Sequence, residues 1–406
     1  MTAREDGARR RSAGGPSRRQ FLLGGAVAGI GAAAAVGIDA ALRTRDDAPV
    51  SAGDEGTRAQ TVAFHGAHQA GIATEPQAHG AFVALDLRDG VGRDELARLM
   101  RILTDDAARL TQGEAALADS EPELAEHPAR LTVTFGFGPR LVERAGGRAP
   151  DWLGPLPAFE IDRLRPEFSD GDLLLQVASD DAMTLAHASR MLLKDARSFA
   201  TVRWTQRGFR RARGTVRPGS TQRNLFGQVD GTVNPVPGTD DFDGVVWSDD
   251  GWLAGGTSLV LRRIRMNLDK WDELDRPGRE ASVGRTLSNG APLTGSDEFD
   301  EPDFGATSAI GFPVIPTFAH MRRARGDGSE RIFRRAYNYE DDDAGLLFAS
   351  YQADVARQFT PIQRRLDEID LLNEWTTPIG SAVFALPPGC DEGGFIGETI
   401  LAGAGA

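Results

Sequence analysis

Apolar positions in the first half of the chain follow two alternating spacings, one typical of strands and one typical of helices. Four short apolar or alternating runs predict strands, at 81–87, 131–138, 172–179 and 200–209. Between them, apolar residues recur three or four positions apart and predict two amphipathic helices, at 95–112 and 181–196. The resulting order, β-α-β-β-α-β, is that of a ferredoxin-like unit.

The second half shows the same kinds of segment in a less regular order. Strands are predicted at 257–266, 345–353 and 381–389, and helices at 268–274 and 361–374. The basic, glycine-containing stretch 210–222 separates the halves, and a long polar insert, 275–308, interrupts the second one; loops of that length are usually functional or disordered. We therefore predict an α+β protein of two ferredoxin-like domains, 59–212 and 213–406, the second of them embellished.

The N-terminal residues do not fit this pattern. The pair Arg18-Arg19 precedes Gln-Phe-Leu and a mildly apolar run from Phe21 to Ile38, which is typical of a secretory signal. The twin arginines resemble the Tat export signal, so 1–40 is predicted to be a Tat signal segment and the polar stretch 41–58 a linker. A single membrane anchor is the alternative, because about 18 apolar residues are marginal for a membrane span. Since Tat exports folded proteins, often with a cofactor already loaded, this signal favours a cofactor enzyme.

Composition excludes several classes of protein. The formal charge of −13 argues against a nucleic-acid partner, and a single cysteine, Cys390, excludes a disulfide framework and a cysteine-rich metal site. The six histidines form no HExxH motif, and there is no GxSxG, Walker loop or GxGxxG after a strand. These absences favour haem, since the macrocycle itself supplies four of the ligands of the iron.

A haem peroxidase needs three protein groups: an axial base for the iron, a proton carrier and a fixed positive charge on the opposite face. A rigidly held carboxylate can carry the proton, and arginine suits the charge because it stays ionised in an apolar pocket. Taken singly, the candidates have simpler interpretations. Asp230 lies between glycines in "GQVDGTVNP", which is typical of a turn acid. His320 alone is more often a buried or surface histidine without such a role, and Arg334, beside Arg335, is typical of a solvated pair.

Together with other segments, "GQVDGTVNP" resembles the GxxDG motif of the dye-decolourising peroxidase family. The resemblance spans nearly all of the chain after the leader, in family order, and rests on "HQAGIATEPQ", "LTVTFGFGP", "GGTSLVLRRIRM", "VGRTLSNGAPLTG", "GLLFASYQADVARQFTPIQRRL" and "GSAVFALPPG". It is strongest to the exported subgroup that includes the deferrochelatase/peroxidase of bacterial iron uptake. The resemblance implies a duplicated fold of the dimeric α+β barrel type, with the haem pocket mainly in the C-terminal domain.

The resemblance also implies roles for individual residues. Asp230 would be the distal acid/base, Arg334 the distal arginine and His320 the proximal iron ligand. The haem would be lined through the backbone by Gly231, Thr232 and Val233, and the other nitrogen of His320 would bond Asp370 or Asp367. The three tyrosines, Tyr337, Tyr339 and Tyr351, are expected to pack in the core, with a relay of oxidising equivalents as the alternative.

One departure from the family pattern follows the histidine. The subgroup usually continues to an Asn-Pro-Arg whose arginine reaches a haem propionate, whereas this chain has "HMRRARGDGSERIFRR". Arg325 or Arg323 is expected to take over that contact.

The function implied is that of an exported haem b peroxidase, which reduces hydrogen peroxide and oxidises an organic donor in one-electron steps. A deferrochelatase, which releases iron from haem and leaves the porphyrin intact, and a haem-binding protein without turnover are the alternatives. The Tat translocase would be a partner during export and an iron-uptake system a candidate partner afterwards, and homo-oligomerisation stays open. The expected location is the periplasm, the cell envelope or the extracellular space.

Overall fold

The computed structural model describes residues 59–402. The predicted signal segment, 1–40, and linker, 41–58, lie outside the described residues. Within 59–402, no helix is both long enough and apolar enough to cross a membrane.

The N-terminal half contains four strands and three helices. The strands are β1 (His79–Leu87), β2 (Thr132–Phe137), β3 (Leu173–Ser179) and β4 (Ala200–Phe209). The helices are α1 (Arg93–Thr111), α2 (Pro139–Arg144) and α3 (Ala182–Ala196), with short 3₁₀ turns at Pro122–Leu124 and Pro166–Phe168. The strands lie side by side in the order β2-β3-β1-β4, all antiparallel. This is the ferredoxin-like arrangement predicted from the two spacings.

The two long helices form where the sequence combines a cap with an apolar face. In α1, Leu96, Leu99 and Leu103 are fully buried, as their spacing predicts. Helix α3 begins after Asp181, whose carboxylate accepts a hydrogen bond of 2.8 Å from the backbone N–H of Thr184. Both helices pack on one face of the sheet, in a core that also contains Val133 and other residues of β1, β2 and β3.

The C-terminal half repeats the same strand arrangement with more insertions. Its strands are β5 (Thr257–Met266), β6 (Phe333–Arg334), β7 (Tyr337–Glu340), β8 (Ala344–Gln352) and β9 (Thr376–Leu386). Its helices are α4 (Asp240–Val246), α5 (Leu268–Asp272), α6 (Arg276–Val283), α7 (His320–Arg325), α8 (Phe359–Ile369) and α9 (Glu398–Leu401), with 3₁₀ turns at Gly251–Leu253 and Leu371–Glu374. The strand order is β9-β5-β8-β7, and the two-residue β6 pairs with the same strand, β8, as β7 does.

The halves join at two short seams. Phe137 of β2 pairs with Ala385 of β9, and Phe209 of β4 pairs with Asn338 of β7. Because β5 pairs with both β9 and β8, the hydrogen-bonded neighbours close into a ring of eight strands, with β6 as the ninth strand of the sheet. The predicted fold class, α+β with two ferredoxin-like halves of the α+β barrel type, is confirmed.

Alternate residues of the strands fill the inside of this ring. Phe82, Leu174, Leu259 and Phe384 belong to one buried cluster, drawn from strands of both halves. Tyr337, Tyr339 and Tyr351 lie in the same cluster and are at most 1% exposed. The expectation that the tyrosines pack in the core is therefore confirmed.

Two segments differ from the predicted elements in ways that matter for the site. The insert 275–308 is not structureless, because α6 occupies its first part. The helix predicted over 361–374 stops at Ile369 and resumes as a 3₁₀ turn after Asp370. The carboxylate of Asp370 caps that turn by accepting a 3.0 Å hydrogen bond from the N–H of Leu372.

Candidate active site

The turn in "NLFGQVD" is made by residues before Asp230. The side-chain oxygen of Asn224 accepts hydrogen bonds from the N–H groups of Phe226 and Gln228, at 3.1 and 3.3 Å. Gly227 takes the left-handed conformation, φ +77°, that the turn requires. Asp230 lies two residues beyond the turn, where its N–H donates to the carbonyl of Gln222 at 2.8 Å. Its side chain is therefore free of the turn, contrary to the interpretation that local sequence favours.

Asp230 forms an ion pair with Arg334. Its Oδ1 accepts a hydrogen bond of 2.9 Å from Nη1 of Arg334, and the two side chains are only 15% and 21% exposed. Arg334 is the last residue of β6, so its backbone is fixed by pairing with Ser350 of β8. The structure thus brings together two of the predicted site residues, an acid and a cation, from positions 104 residues apart.

Asn234 holds the backbone of Arg334 from the other side. Its Nδ2 donates to the Arg334 carbonyl at 2.7 Å, and its Oδ1 accepts from the Arg334 N–H at 3.0 Å. The side-chain amide of Asn234 therefore bonds both backbone groups of Arg334, as a neighbouring strand would. Sequence reasoning missed this role, although an asparagine just after the GxxDG stretch and before Pro235 was a visible signal.

The three residues after Asp230 lie beside it in the same loop. Gly231 has φ +129°, a conformation that side chains rarely adopt, and a Cβ there would lie 3.3 Å from Cγ2 of Thr221. The hydroxyl of Thr232 donates to Oε1 of Glu298 at 3.0 Å, as does that of Thr221 at 2.5 Å. Val233 leaves 59% of its surface exposed.

Glu298 connects this loop to the insert 275–308. Its own backbone carbonyl accepts a hydrogen bond of 2.9 Å from Nη1 of Arg285, which is buried and also bonds the carbonyl of Gly290. Burial lowers the pKa of Arg285, and nearby Arg334 and Arg325 lower it further, against the opposing charge of Glu298. The insert therefore supports the loop that carries Asp230, and Arg285 lies near both Arg334 and Arg325.

His320 is the first residue of α7, and its orientation is fixed by Asp370. The Nδ1–H donates to Oδ2 of Asp370 at 2.6 Å, and the Asp370 side chain is 3% exposed. Burial opposes the charged imidazolium, but the charge of Asp370 and its hydrogen bond outweigh it and raise the pKa of His320. Asp367, the other predicted partner, instead accepts backbone N–H groups of Glu160 and Ile161, both at 3.0 Å.

His320 lies near Asp230 and Arg334. The charge of Arg334 lowers the pKa of His320 and that of Asp230 raises it, so both groups are near enough to act on the imidazole. Since Nδ1 is committed to Asp370, Nε2 is the nitrogen that can bind a metal. Within 59–402, no cluster of three or more His, Cys, Asp and Glu side chains is placed to hold a metal ion. A single oriented imidazole with an acid and an arginine nearby fits a haem, whose iron needs only one base from the protein.

The two candidates for the propionate contact lie in different places. Nη2 of Arg323 donates to Glu368 at 2.5 Å and its Nε to the carbonyl of Arg365 at 3.1 Å, so this side chain is directed at α8. Arg325 pairs with Glu301 of the insert and lies near Arg285. Arg325 therefore shares a neighbour, Arg285, with Arg334, whereas the bonds of Arg323 are to residues of α8.

The chain matches two family models that together cover most of the described residues. These are "Dyp-type peroxidase, N-terminal" over 69–210 and "Dyp-type peroxidase, C-terminal" over 221–391. A dye-decolorizing peroxidase of Thermobifida fusca is 39% identical, over 96% of this chain and 98% of the relative. A deferrochelatase of Yersinia pestis is 34% identical over 95% of each chain. The solved structure of a DyP-type peroxidase from Cellulomonas bogoriensis is 55% identical and has a TM-score of 0.83, covering 86% of this chain and 99% of that one.

Proposed function

Because the chain belongs to the Dyp-type peroxidase family, a family of haem-dependent peroxidases, we propose that Asp230, Arg334 and His320 are the residues with which it performs this chemistry. The overall reaction is H₂O₂ + 2 AH → 2 H₂O + 2 A•, in which each molecule of the organic donor AH loses one electron and one proton. The ion pair between Asp230 and Arg334, with His320 near both, is the observation that carries the proposal.

Asp230 would move the proton. Its Oδ1 already accepts a hydrogen bond from Arg334, so Oδ2 is the oxygen that takes a proton from the proximal oxygen of peroxide and returns it to the distal oxygen as water leaves. The bound haem supplies the iron that binds peroxide and the electrons that reduce it. Arg334 provides a fixed positive charge next to the breaking O–O bond, where negative charge develops.

His320 would bind the haem iron through Nε2. Its hydrogen bond to the buried Asp370 places the proton of the neutral ring on Nδ1, which leaves Nε2 for the iron, and it makes the imidazole a stronger electron donor. Gly231, Thr232 and Val233 would contact the macrocycle through the backbone, and Arg325 would take the propionate contact that the family assigns to a different arginine.

Spectroscopy of three variants tests these roles. The haem-loaded wild type should show a Soret band and react with peroxide in a stopped-flow experiment. Asp230→Asn and Arg334→Leu should keep the Soret band and lose about 10²-fold or more of the rate with peroxide, whereas His320→Ala should weaken or abolish the band itself. Peroxide reduction at the wild-type rate in Asp230→Asn would refute the role of Asp230. A haem-loaded wild type that does not react with peroxide would favour a haem-binding protein without turnover.

A second activity, deferrochelatase, is favoured by relatives of that name that are 34% identical over 95% of each chain. The same pocket would hold haem as a substrate, from which iron is released while the porphyrin stays intact. Supplying haem without peroxide and measuring porphyrin fluorescence tests this activity. Rising fluorescence with no ring opening would support it, and unchanged haem absorption over the same time would contradict it.

We also propose that the protein is exported by Tat and acts in the periplasm, the cell envelope or the extracellular space. Arg18-Arg19 and the apolar run up to Ile38 support this, because they have the order of a Tat signal. An iron-uptake system would be a partner if the deferrochelatase activity holds. Replacing both arginines by lysine in the full chain should leave the protein in the cytoplasm, and unchanged export would contradict the proposal.

A further inference from the structure

A cavity of about 360 Å³ lies next to Asp230 and Arg334, on the side that is not lined by His320. Residues of both halves of the molecule form its wall. The N-terminal half contributes Ala73 to Pro76 and Arg210, and the C-terminal half contributes Asp230, Asn234 and Phe333 to Arg334. The volume lies within the range of small-molecule sites, about 300–1,000 Å³. It exceeds what hydrogen peroxide, with two heavy atoms, requires.

Arg210 is a cation in this wall without a carboxylate partner among the described residues. It is the first residue after β4, and its Nη1 donates to the carbonyl of Ala336 at 3.0 Å while the guanidinium lies 5.9 Å from the ring centre of Tyr337. No carboxylate oxygen within 59–402 comes within ion-pair distance of it. Burial lowers the pKa of Arg210 to about 10, which leaves it charged at neutral pH.

A second unpaired arginine reinforces this charge. Arg335 is 1% exposed, and its guanidinium bonds Gln77 at 2.7 Å and backbone carbonyls of the segment that includes Thr74. It too has no carboxylate partner within 59–402, and its charge is near enough to lower the pKa of Arg210. Of the two acids in the lining, Asp230 forms its ion pair with Arg334 rather than with Arg210. Glu75, whose side chain is 61% exposed, pairs at 3.1 Å with Arg130, which also pairs with Asp180.

Four charged side chains line the cavity, Glu75, Asp230, Arg210 and Arg334, and among them only Arg210 has no ion-pair partner within 59–402. Buried charges are normally paired, because desolvating an isolated charge is unfavourable. A cation held without a partner at a cavity wall therefore favours an anionic ligand. The remaining lining combines apolar groups, such as Pro76 and Phe333, with hydroxyl and amide groups, such as Thr74 and Gln222, and so suits an aromatic ring with polar substituents.

We infer that this cavity binds the reducing substrate, and that Arg210 selects a small aromatic donor that carries a carboxylate. The inference rests on the proposed peroxidase function, since it names the donor class for that same site. Binding of the donor here places it between the two halves, against the Asp230–Arg334 pair.

Calorimetric titration of the haem-loaded protein without peroxide tests the inference. The probes are 4-hydroxybenzoate and 4-hydroxybenzyl alcohol, which share the phenol ring and differ in the charged group. The wild type should bind the acid more tightly than the alcohol. Arg210→Gln should weaken binding of the acid about tenfold or more, the effect of one charge-assisted hydrogen bond, and should change binding of the alcohol less than about twofold. Arg211→Gln, at the exposed neighbouring arginine, should change neither.

A second variant keeps the test valid if Arg210→Gln does not fold. Ser220 is exposed at the cavity and lies in a loop, so Ser220→Trp should narrow the mouth and abolish binding of both probes. Equal affinity of the wild type for acid and alcohol, or unchanged affinity of Arg210→Gln for the acid, would overturn the inference and leave the cavity as a path for peroxide. These titrations need no turnover, so they test donor binding separately from the peroxidase function. Failure of the proposed peroxidase function would appear instead as a haem-loaded protein that does not react with peroxide.

Discussion

Replacing Asn234 by alanine tests whether this side chain positions Arg334 for the reaction in addition to stabilising the loop. The substitution removes the two hydrogen bonds, of 2.7 and 3.0 Å, that hold the backbone of Arg334. At about 0.5–1.5 kcal/mol each, their loss should lower the free energy of unfolding by about 1–3 kcal/mol. Arg334 should also move relative to Asp230, and a displacement of about 1 Å at a catalytic group can reduce a rate about 10²-fold. We therefore expect the rate constant for the reaction with peroxide to fall about ten- to a hundredfold.

The assay is stopped-flow mixing of the haem-loaded protein with peroxide, together with chemical denaturation of the same samples. Thr239→Ala is the matched control, because Thr239 caps α4 in the same loop by accepting from the N–H of Phe242 at 3.2 Å. It should lose about 1 kcal/mol of stability and keep the wild-type rate. The reasoning is refuted if Asn234→Ala loses stability but reacts at the wild-type rate, or if Thr239→Ala is slowed as much as Asn234→Ala.

Three further predictions follow from other contacts. Asp370→Asn should raise the reduction potential of the bound haem, since His320 becomes a weaker electron donor. The control Asp367→Asn should leave the potential unchanged, because Asp367 bonds only the backbone N–H groups of 160 and 161. Equal potentials of the two variants in spectroelectrochemistry would contradict this. Burial and the neighbouring Asp106 raise the pKa of Asp195 to about 7, from an ordinary value of 3.8, so the folded protein holds a proton that the unfolded chain has released. The free energy of unfolding should therefore fall between about pH 4 and pH 7, and Asp195→Asn should remove this fall; a wild-type stability that is flat over this range would argue against it. Gly231→Ala should lower the free energy of unfolding by about 1–3 kcal/mol, because φ at this position is +129°. The control Gly154→Ala has an ordinary φ and open space around the added Cβ, so its stability should stay within about 0.5 kcal/mol of wild type. Equal losses in thermal denaturation would exclude backbone strain as the cause.

The parts of the fold that sequence predicted well are those with strong local periodicity. The strand β4 has the predicted bounds, 200–209, and β5 the predicted bounds, 257–266. The strands β6 and β7 were missed because two and four residues are too few to show an alternating pattern. Residue patterns also do not reveal the seams of the ring, since each consists of a single residue pair.

The candidate site was predictable only as far as its residues carry a motif. The family resemblance selected Asp230, Arg334 and His320; in the structure the first two form an ion pair, and His320 lies near both. It could not choose between Asp370 and Asp367, because both lie near the end of one predicted helix; the choice depends on where α8 stops. The roles of Asn234 and Glu298 arise from contacts across 100 and 66 residues of sequence, which no local pattern encodes.

The two seams occupy equivalent positions in the strand order of the two halves. Counted within each half, the second strand of one half (β2, or β7) meets the fourth strand of the other (β9, or β4). Arg334 lies in β6, which pairs with the same strand, β8, as β7 does, whereas the second strand of the N-terminal half, "TVTFGF", contains no charged residue and is buried throughout. In a homodimer, every substitution would appear twice, once in each symmetry-related position. In a single chain the two halves can differ in sequence, so a charged residue of the candidate site in one half needs no counterpart in the other.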